Sequence, residues 1–168
     1  MNKTDQKFRK SYRQFNKIVT ISLLAGILVV SSFLIFLVFN PEPGFVTFSI
    51  LNEDQEMQDY PTNATIGDNI SFYVGVDNNL GRNLTFNIKI LKGDNITVMN
   101  ETGTYNAVLN NTIGNYTINN REIWLSEKLD ISFYTTGVGI LIVELYEIPQ
   151  IDTEKFFDLL YLRLNITS

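Results

Sequence analysis

Residues 18–39 read IVTISLLAGILVVSSFLIFLVF, 22 successive positions without an acidic or basic side chain. A helix of that length rises about 1.5 Å per residue and reaches roughly 33 Å, enough to cross a hydrocarbon core of about 30 Å. Such a rod must enter lipid or be wrapped in protein, and a 168-residue chain has room for only one modest domain beside it. One transmembrane helix over residues 18–39 is therefore expected. A cleavable secretory signal fits less well, because its apolar stretch is usually about 7–15 residues. A cut after Ser32 would also leave FLIFLVF at the front of the product.

The charge is divided on either side of this segment. Residues 1–17 carry six Lys/Arg (Lys3, Lys7, Arg9, Lys10, Arg13, Lys17) against Asp5 alone. Residues 40–168 carry seven Lys/Arg against seventeen Asp/Glu. Basic flanks stay on the cytoplasmic side of a span. The expected topology is single-pass, with the N-terminus cytoplasmic and the C-terminal domain extracellular. An acidic outer part repels phosphates, so no nucleic-acid partner is expected.

Four segments follow from this: a basic cytoplasmic tail at 1–17, a signal-anchor helix at 18–39, a short Pro/Gly linker at 40–44, and an extracellular domain at 45–168. The linker is Asn40-Pro41-Glu42-Pro43-Gly44. Its prolines stop the helix, and five extended residues reach at most about 17 Å, which keeps the domain close to the bilayer.

Beyond Gly44 the apolar period is two. Ile70, Phe72, Val74 and Val76 share one face, while Asn69, Ser71, Tyr73, Gly75 and Asp77 share the other. After Asn78-Asn79-Leu80-Gly81-Arg82, the residues Leu84, Phe86, Ile88 and Ile90 alternate with Thr85, Asn87 and Lys89. Two such runs around an Asn/Gly turn predict a β-hairpin with one wet face. Further strands are expected at 45–51, 95–99, 122–125, 129–135, 139–146 and 157–166. Residues 106–116 are Asn-rich and read as a long loop or weak hairpin. Residues 152–160 read as loop then strand, and Gly137-Val138-Gly139 as a hairpin turn. The fold class expected is all-β: an immunoglobulin-like antiparallel β-sandwich preceded by one transmembrane α-helix. Without a disulfide it must rest on apolar packing, and Trp124 is expected in the core.

The chain has no cysteine and no histidine. That excludes thiol nucleophiles, thiolate or imidazole metal sites and Ser–His–Asp triads. No catalytic residue, cofactor or metal ligand set is assigned, and no enzyme is expected. Glu53, Asp54, Glu56 and Asp59 are the nearest candidates for calcium, yet they lack the Asp-x-Asp-x-Asp-Gly loop and read as a solvated loop. Glu144 and Glu147 read as a solvated strand edge. Tyr73, Tyr116, Tyr134 and Tyr161 are candidates for partly exposed aromatic faces.

The unusual outer feature is Asn-x-Ser/Thr, at Asn63, Asn69, Asn83, Asn95, Asn100, Asn110, Asn115 and Asn165. A further copy at Asn2 lies on the predicted cytoplasmic side. Strand alternation produces some of these by itself, because Asn and Thr share the polar phase. On an exterior domain of a eukaryotic or archaeal cell, each is a candidate for N-glycosylation.

Residues 60–91 read YPTNATIGDNISFYVGVDNNLGRNLTFNIKIL. The string Tyr60-Pro61-Thr62-Asn63, then Gly67, then Val74-Gly75-Val76, Asn78 and Gly81 resembles the outer domain of a family of archaeal membrane proteins of unknown function. The resemblance extends loosely over residues 45–168. It implies an immunoglobulin-like domain on an archaeal cell surface and brings no catalytic residues. Family members often have several membrane helices, whereas this chain has one candidate. Gly67 and Gly81 have a direct structural reading as turn positions, Gly81 at positive φ.

These features predict a membrane-anchored cell-surface glycoprotein with a non-catalytic structural, adhesive or accessory-subunit role. Its partners are the lipid bilayer and envelope proteins, glycans or a membrane complex. The alternative layout is a pilin-like filament subunit whose apolar helix assembles after leader removal, although Lys17-Ile18 lacks the small residue that such processing uses.

Overall fold

The computed structural model describes residues 3–40, 43–149 and 153–168. The chain divides into two compact units, Met1–Pro43 and Gly44–Ser168.

The first unit is one helix, α1 (Lys3–Phe39), 37 residues long. It begins inside the basic segment, so tail and apolar run form one continuous helix. Its Tyr12–Phe39 portion is long and apolar enough to cross a membrane, and none of it is buried. Two hydroxyls there bond within the helix: Thr20 Oγ1 donates to the Asn16 carbonyl and Ser32 Oγ to the Leu28 carbonyl, both at 2.8 Å. Internal satisfaction is what a lipid environment demands of polar groups. The Asn40 backbone N–H donates to the Phe36 carbonyl and closes the last turn. Pro41 and Glu42 of the linker lie outside the described residues, as does Asp152.

The second unit is a two-layer β-sandwich. One sheet pairs β1 (Phe45–Leu51) with β3 (Ile70–Asn79), and β3 with β8 (Glu122–Leu125) and β9 (Leu129–Ile131). The other runs β2 (Asn63–Thr65), β11 (Lys155–Thr167), β10 (Gly137–Glu147), β4 (Leu84–Gly93), β7 (Val108–Ile118). A small hairpin joins β5 (Val98–Asn100) to β6 (Gly103–Tyr105). Pairing is antiparallel throughout except at β2, which lies parallel to β11. With β1-β3-β8 as the A-B-E sheet and β11-β10-β4 as G-F-C, this strand order is immunoglobulin-like.

The period-two rows face each other across the layers. Phe72, Val74 and Val76 from β3 meet Leu84, Phe86 and Ile88 from β4 and Leu141, Val143 and Leu145 from β10 in one buried cluster. Trp124 is partly buried at its margin, edge-on to Phe86 at 5.4 Å and tilted against Tyr116 at 4.9 Å between ring centres. Such aromatic contacts add to the stabilisation from area alone.

Four expectations are corrected. The runs 69–77 and 84–90 do not form a hairpin: β3 and β4 are consecutive but belong to opposite sheets. The reason is Asn78, whose side chain is fully buried. Its Nδ2 donates to the carbonyls of Arg82, Ile118 and Asn119, and its Oδ1 accepts from the Leu80 N–H. That set turns the chain through a corner between layers, and Gly81 follows at φ +77°.

Residues 108–118, within the expected loop, form the 11-residue strand β7. Gly137-Val138-Gly139 is not a turn but the start of β10, paired with Leu164–Ile166. At Gly139 a Cβ would meet Ile166 and Phe133 at 3.0 Å, so the glycine serves close packing. Glu144 is buried rather than solvated, at 2% exposure.

Two strands are also shorter than expected. Residues 94–97 form a turn before β5, with Asp94 Oδ1 accepting from the Ile96 N–H. Pairing in the 129–135 segment ends at Ile131.

Candidate functional site

The eight asparagines of the Asn-x-Ser/Thr sequons are all exposed. Their local settings differ. Asn63 opens β2 and Asn165 sits in β11, directly paired across the parallel ladder. Asn69 Oδ1 accepts from Ser132 Oγ at 2.6 Å. Asn100 Oδ1 caps the β5–β6 turn by accepting from both the N–H and the hydroxyl of Thr102. Among the described residues, the side-chain amides of Asn83, Asn95, Asn110 and Asn115 make no hydrogen bond to protein. These four can present Nδ2 to solvent without losing a contact.

Asn110 and Asn115 share a further property. The β4–β7 register passes from Leu91↔Leu109 to Ile90↔Asn111, and from Asn87↔Gly114 to Phe86↔Tyr116. Each of the two asparagines is the skipped residue of a β-bulge. The Asn115 backbone lies at φ +63°, in the left-handed region where Asn is better tolerated than most residues.

Sequence patterning missed a polar cluster on the outward face of β10. Glu144 Oε1 accepts from the Thr104 backbone N–H at 2.7 Å, and Oε2 accepts from the Tyr146 hydroxyl at 2.9 Å. Burial, followed by the bond to Glu144, pushes the Tyr146 hydroxyl pKa well above the ordinary tyrosine value. The roof over the carboxylate is the β5–β6 hairpin. Gly103 there adopts φ +125°, and a Cβ on it would stand 3.2 Å from Glu144 Oε1. Lys89 lies 4.0 Å from the centre of the Tyr146 ring and pairs with Glu154 at 2.6 Å. The Lys89 bond and then the Asn87 amide hold the Glu154 carboxyl below its usual range. One signal was available: the run Ile140–Leu145 is apolar in both phases apart from Glu144, as in a strand covered on both faces.

Clefts open on this unit among the described residues. One of about 630 Å³ is bordered by Lys92, Asp94, Asn95, Ser132, Tyr134 and Val138. Another of about 370 Å³ includes Asp54, Asp59, Asp68 and Asn69. The acids of the second do not converge. Glu53 bonds to Lys128 at 3.0 Å, which lowers its pKa and raises that of the lysine. Asn52 Oδ1 accepts from the Asp54 and Glu56 N–H groups and orders the loop from within. Among the described residues no three acidic side chains gather as a metal-holding group. Of the four tyrosines singled out in the sequence, Tyr134 and Tyr161 are the most exposed and Tyr73 is half-buried.

No family model and no curated protein matches the chain. The resemblance carried by residues 60–91 therefore gains no family assignment, and the immunoglobulin-like fold it implied rests on the strand order above. Solved structures of similar shape include the CARDB domain of a Pyrococcus furiosus protein in complex with di-metal ions, at 10% identity and TM-score 0.48, covering 75% of this chain and 90% of that one. The C-terminal domain of wzt matches at 13% identity and TM-score 0.47, over 77% and 80% of the two chains. A β-glucosidase from Listeria innocua matches at 9% identity and TM-score 0.49, over 73% of this chain but 16% of that one.

Proposed function

We propose that the protein is a single-pass, membrane-anchored cell-surface module that acts without catalysis, as a structural, adhesive or accessory subunit. The supporting observation is α1: a helix with a basic start and an uncharged apolar run, unburied along its whole described face, beside a sandwich with its own core. In water that face would be a large exposed apolar surface, and lipid is the environment that removes the cost. The basic flank favours a cytoplasmic N-terminus and an exterior sandwich. The acidic balance of residues 40–168 disfavours nucleic acid, and the exposed sequons favour N-glycosylation. Alkaline carbonate washing of membranes tests the anchor. The full chain should remain in the pellet, and its release to the supernatant would contradict the reading.

The order of one long apolar helix followed by a β-sandwich also suits a second reading, a pilin-like filament subunit. N-terminal sequencing of the native protein separates the two. A start near Ile18 supports the filament, and a start at the initiator region supports the anchor.

A further inference from the structure

We propose that Asn110 and Asn115 are used glycosylation sites, and that their sugars guard the free edge of β7 against strand addition. The inference rests on the glycosylation reading above and assigns it to two sites with a purpose.

β7 ends its sheet, so one side of the strand has no partner among the described residues. At 11 residues it is the longest edge strand of the sandwich, and nine of those residues are exposed. An unpaired strand of this kind is a template for another chain, and proteins usually blunt it with lysine, proline, brevity or bulges. The other edge of the same sheet, β2, is only three residues long. β7 has no charged residue and no proline between Val108 and Ile118. It has two bulges, and both bulged residues are sequon asparagines.

Bulges leave a residue without a cross-strand partner and re-aim its side chain. Both amides are exposed and make no protein hydrogen bond among the described residues. Backbone conformation accounts for an asparagine at 115, where φ is +63°. Thr117 pairs with Thr85 across the ladder, hydroxyl to hydroxyl at 2.9 Å; neither backbone conformation nor such a pair accounts for Asn110 with Thr112.

The modification needs an oligosaccharide carried on a lipid phosphate as co-reactant, with the host's transferase. The amide nitrogen Nδ2 attacks the anomeric carbon, and the C–N bond forms as the carbon–oxygen bond to phosphate breaks. The lipid phosphate leaves, Nδ2 gives one proton to a base, and nothing is oxidised or reduced. A sugar on each bulge would stand beside the unpaired N–H and C=O groups and exclude an incoming strand by volume.

Glycopeptide mapping of the full chain from native membranes should find sugar at both Asn110 and Asn115. Sugar on other sequons but on neither of these overturns the inference and leaves glycosylation standing. Eight bare asparagines overturn both. The guarding role is read from the N110Q/N115G variant, in which glycine retains the positive φ. In detergent, at equal concentration, it should form roughly twofold or more higher-mass species than wild type, and N110K/N115G should restore the wild-type level because lysine also protects an edge. Equal association of N110Q/N115G and wild type, or no rescue by lysine, overturns the guarding role.

Discussion

Across the parallel ladder of β2 and β11, the side-chain amide of Asn165 donates to the side-chain oxygen of Asn63 at 3.4 Å. Both belong to sequons, and neighbouring strands lie only about 4.8 Å apart. Two sugars rooted there would compete for the same space. Site-by-site glycopeptide quantification should give fractional occupancies at Asn63 and Asn165 that sum to no more than one, because at most one of the pair is occupied on any molecule. Molecules carrying both would refute the crowding argument.

Asn78 is expected to be the most sensitive polar residue of the sandwich. Asn78→Ala removes the donor for three buried or half-buried carbonyls at once. Lost bonds of this kind cost about 1 kcal/mol each, and unsatisfied buried groups more, so a loss of about 2–4 kcal/mol is expected. Asn78→Asp should be worse, because it turns a carboxylate towards carbonyl oxygens. Thermal unfolding of the full chain in detergent checks both, and an unchanged midpoint for Asn78→Ala would show that the corner does not depend on it.

The Tyr146 hydroxyl makes stability fall in alkali. Its pKa in the fold lies above the unfolded value of 10.0. Above pH 10 the unfolded chain releases this proton while the folded chain keeps it, so the contribution is whole below pH 10 and lost as pH rises towards the folded pKa. The unfolding midpoint should drop between pH 10 and 11 in wild type and drop less steeply in Tyr146→Phe. Parallel curves for the two proteins would remove the tyrosine from the account.

Gly103→Ala should loosen the β5–β6 hairpin. The substitution is strained at φ +125° and places a methyl 3.2 Å from the Glu144 carboxylate. A cost of about 1–3 kcal/mol is expected, concentrated locally. Hydrogen exchange at the Thr104 amide, which donates to Glu144, should speed up several-fold while β3 amides stay protected.

Period-two alternation made the core rows of β3 and β4 readable, since each residue inward by phase is buried in the fold. It could not show that the two strands part into different sheets, because that depends on one asparagine side chain reaching carbonyls 40 residues away. β7 was hidden for a related reason. Its bulges at Asn110 and Asn115 interrupt the phase, so Ile113, Tyr116 and Ile118 are spaced three and then two apart. The sequons were plain in the sequence as a pattern, but their settings came only from pairing. Glu144 is an acid sharing its phase with the buried Ile140 and Ile142, and what covers it is a hairpin distant in sequence, which period alone does not reveal.

In the proposed topology α1 threads a bilayer with its basic end inside and the sandwich outside. The chain has no cysteine, so single cysteines can report side without background. In intact cells a membrane-impermeant maleimide should label Ser168→Cys, and should label Ser11→Cys only after lysis. Labelling of Ser11→Cys with protection of Ser168→Cys in intact cells would contradict the account.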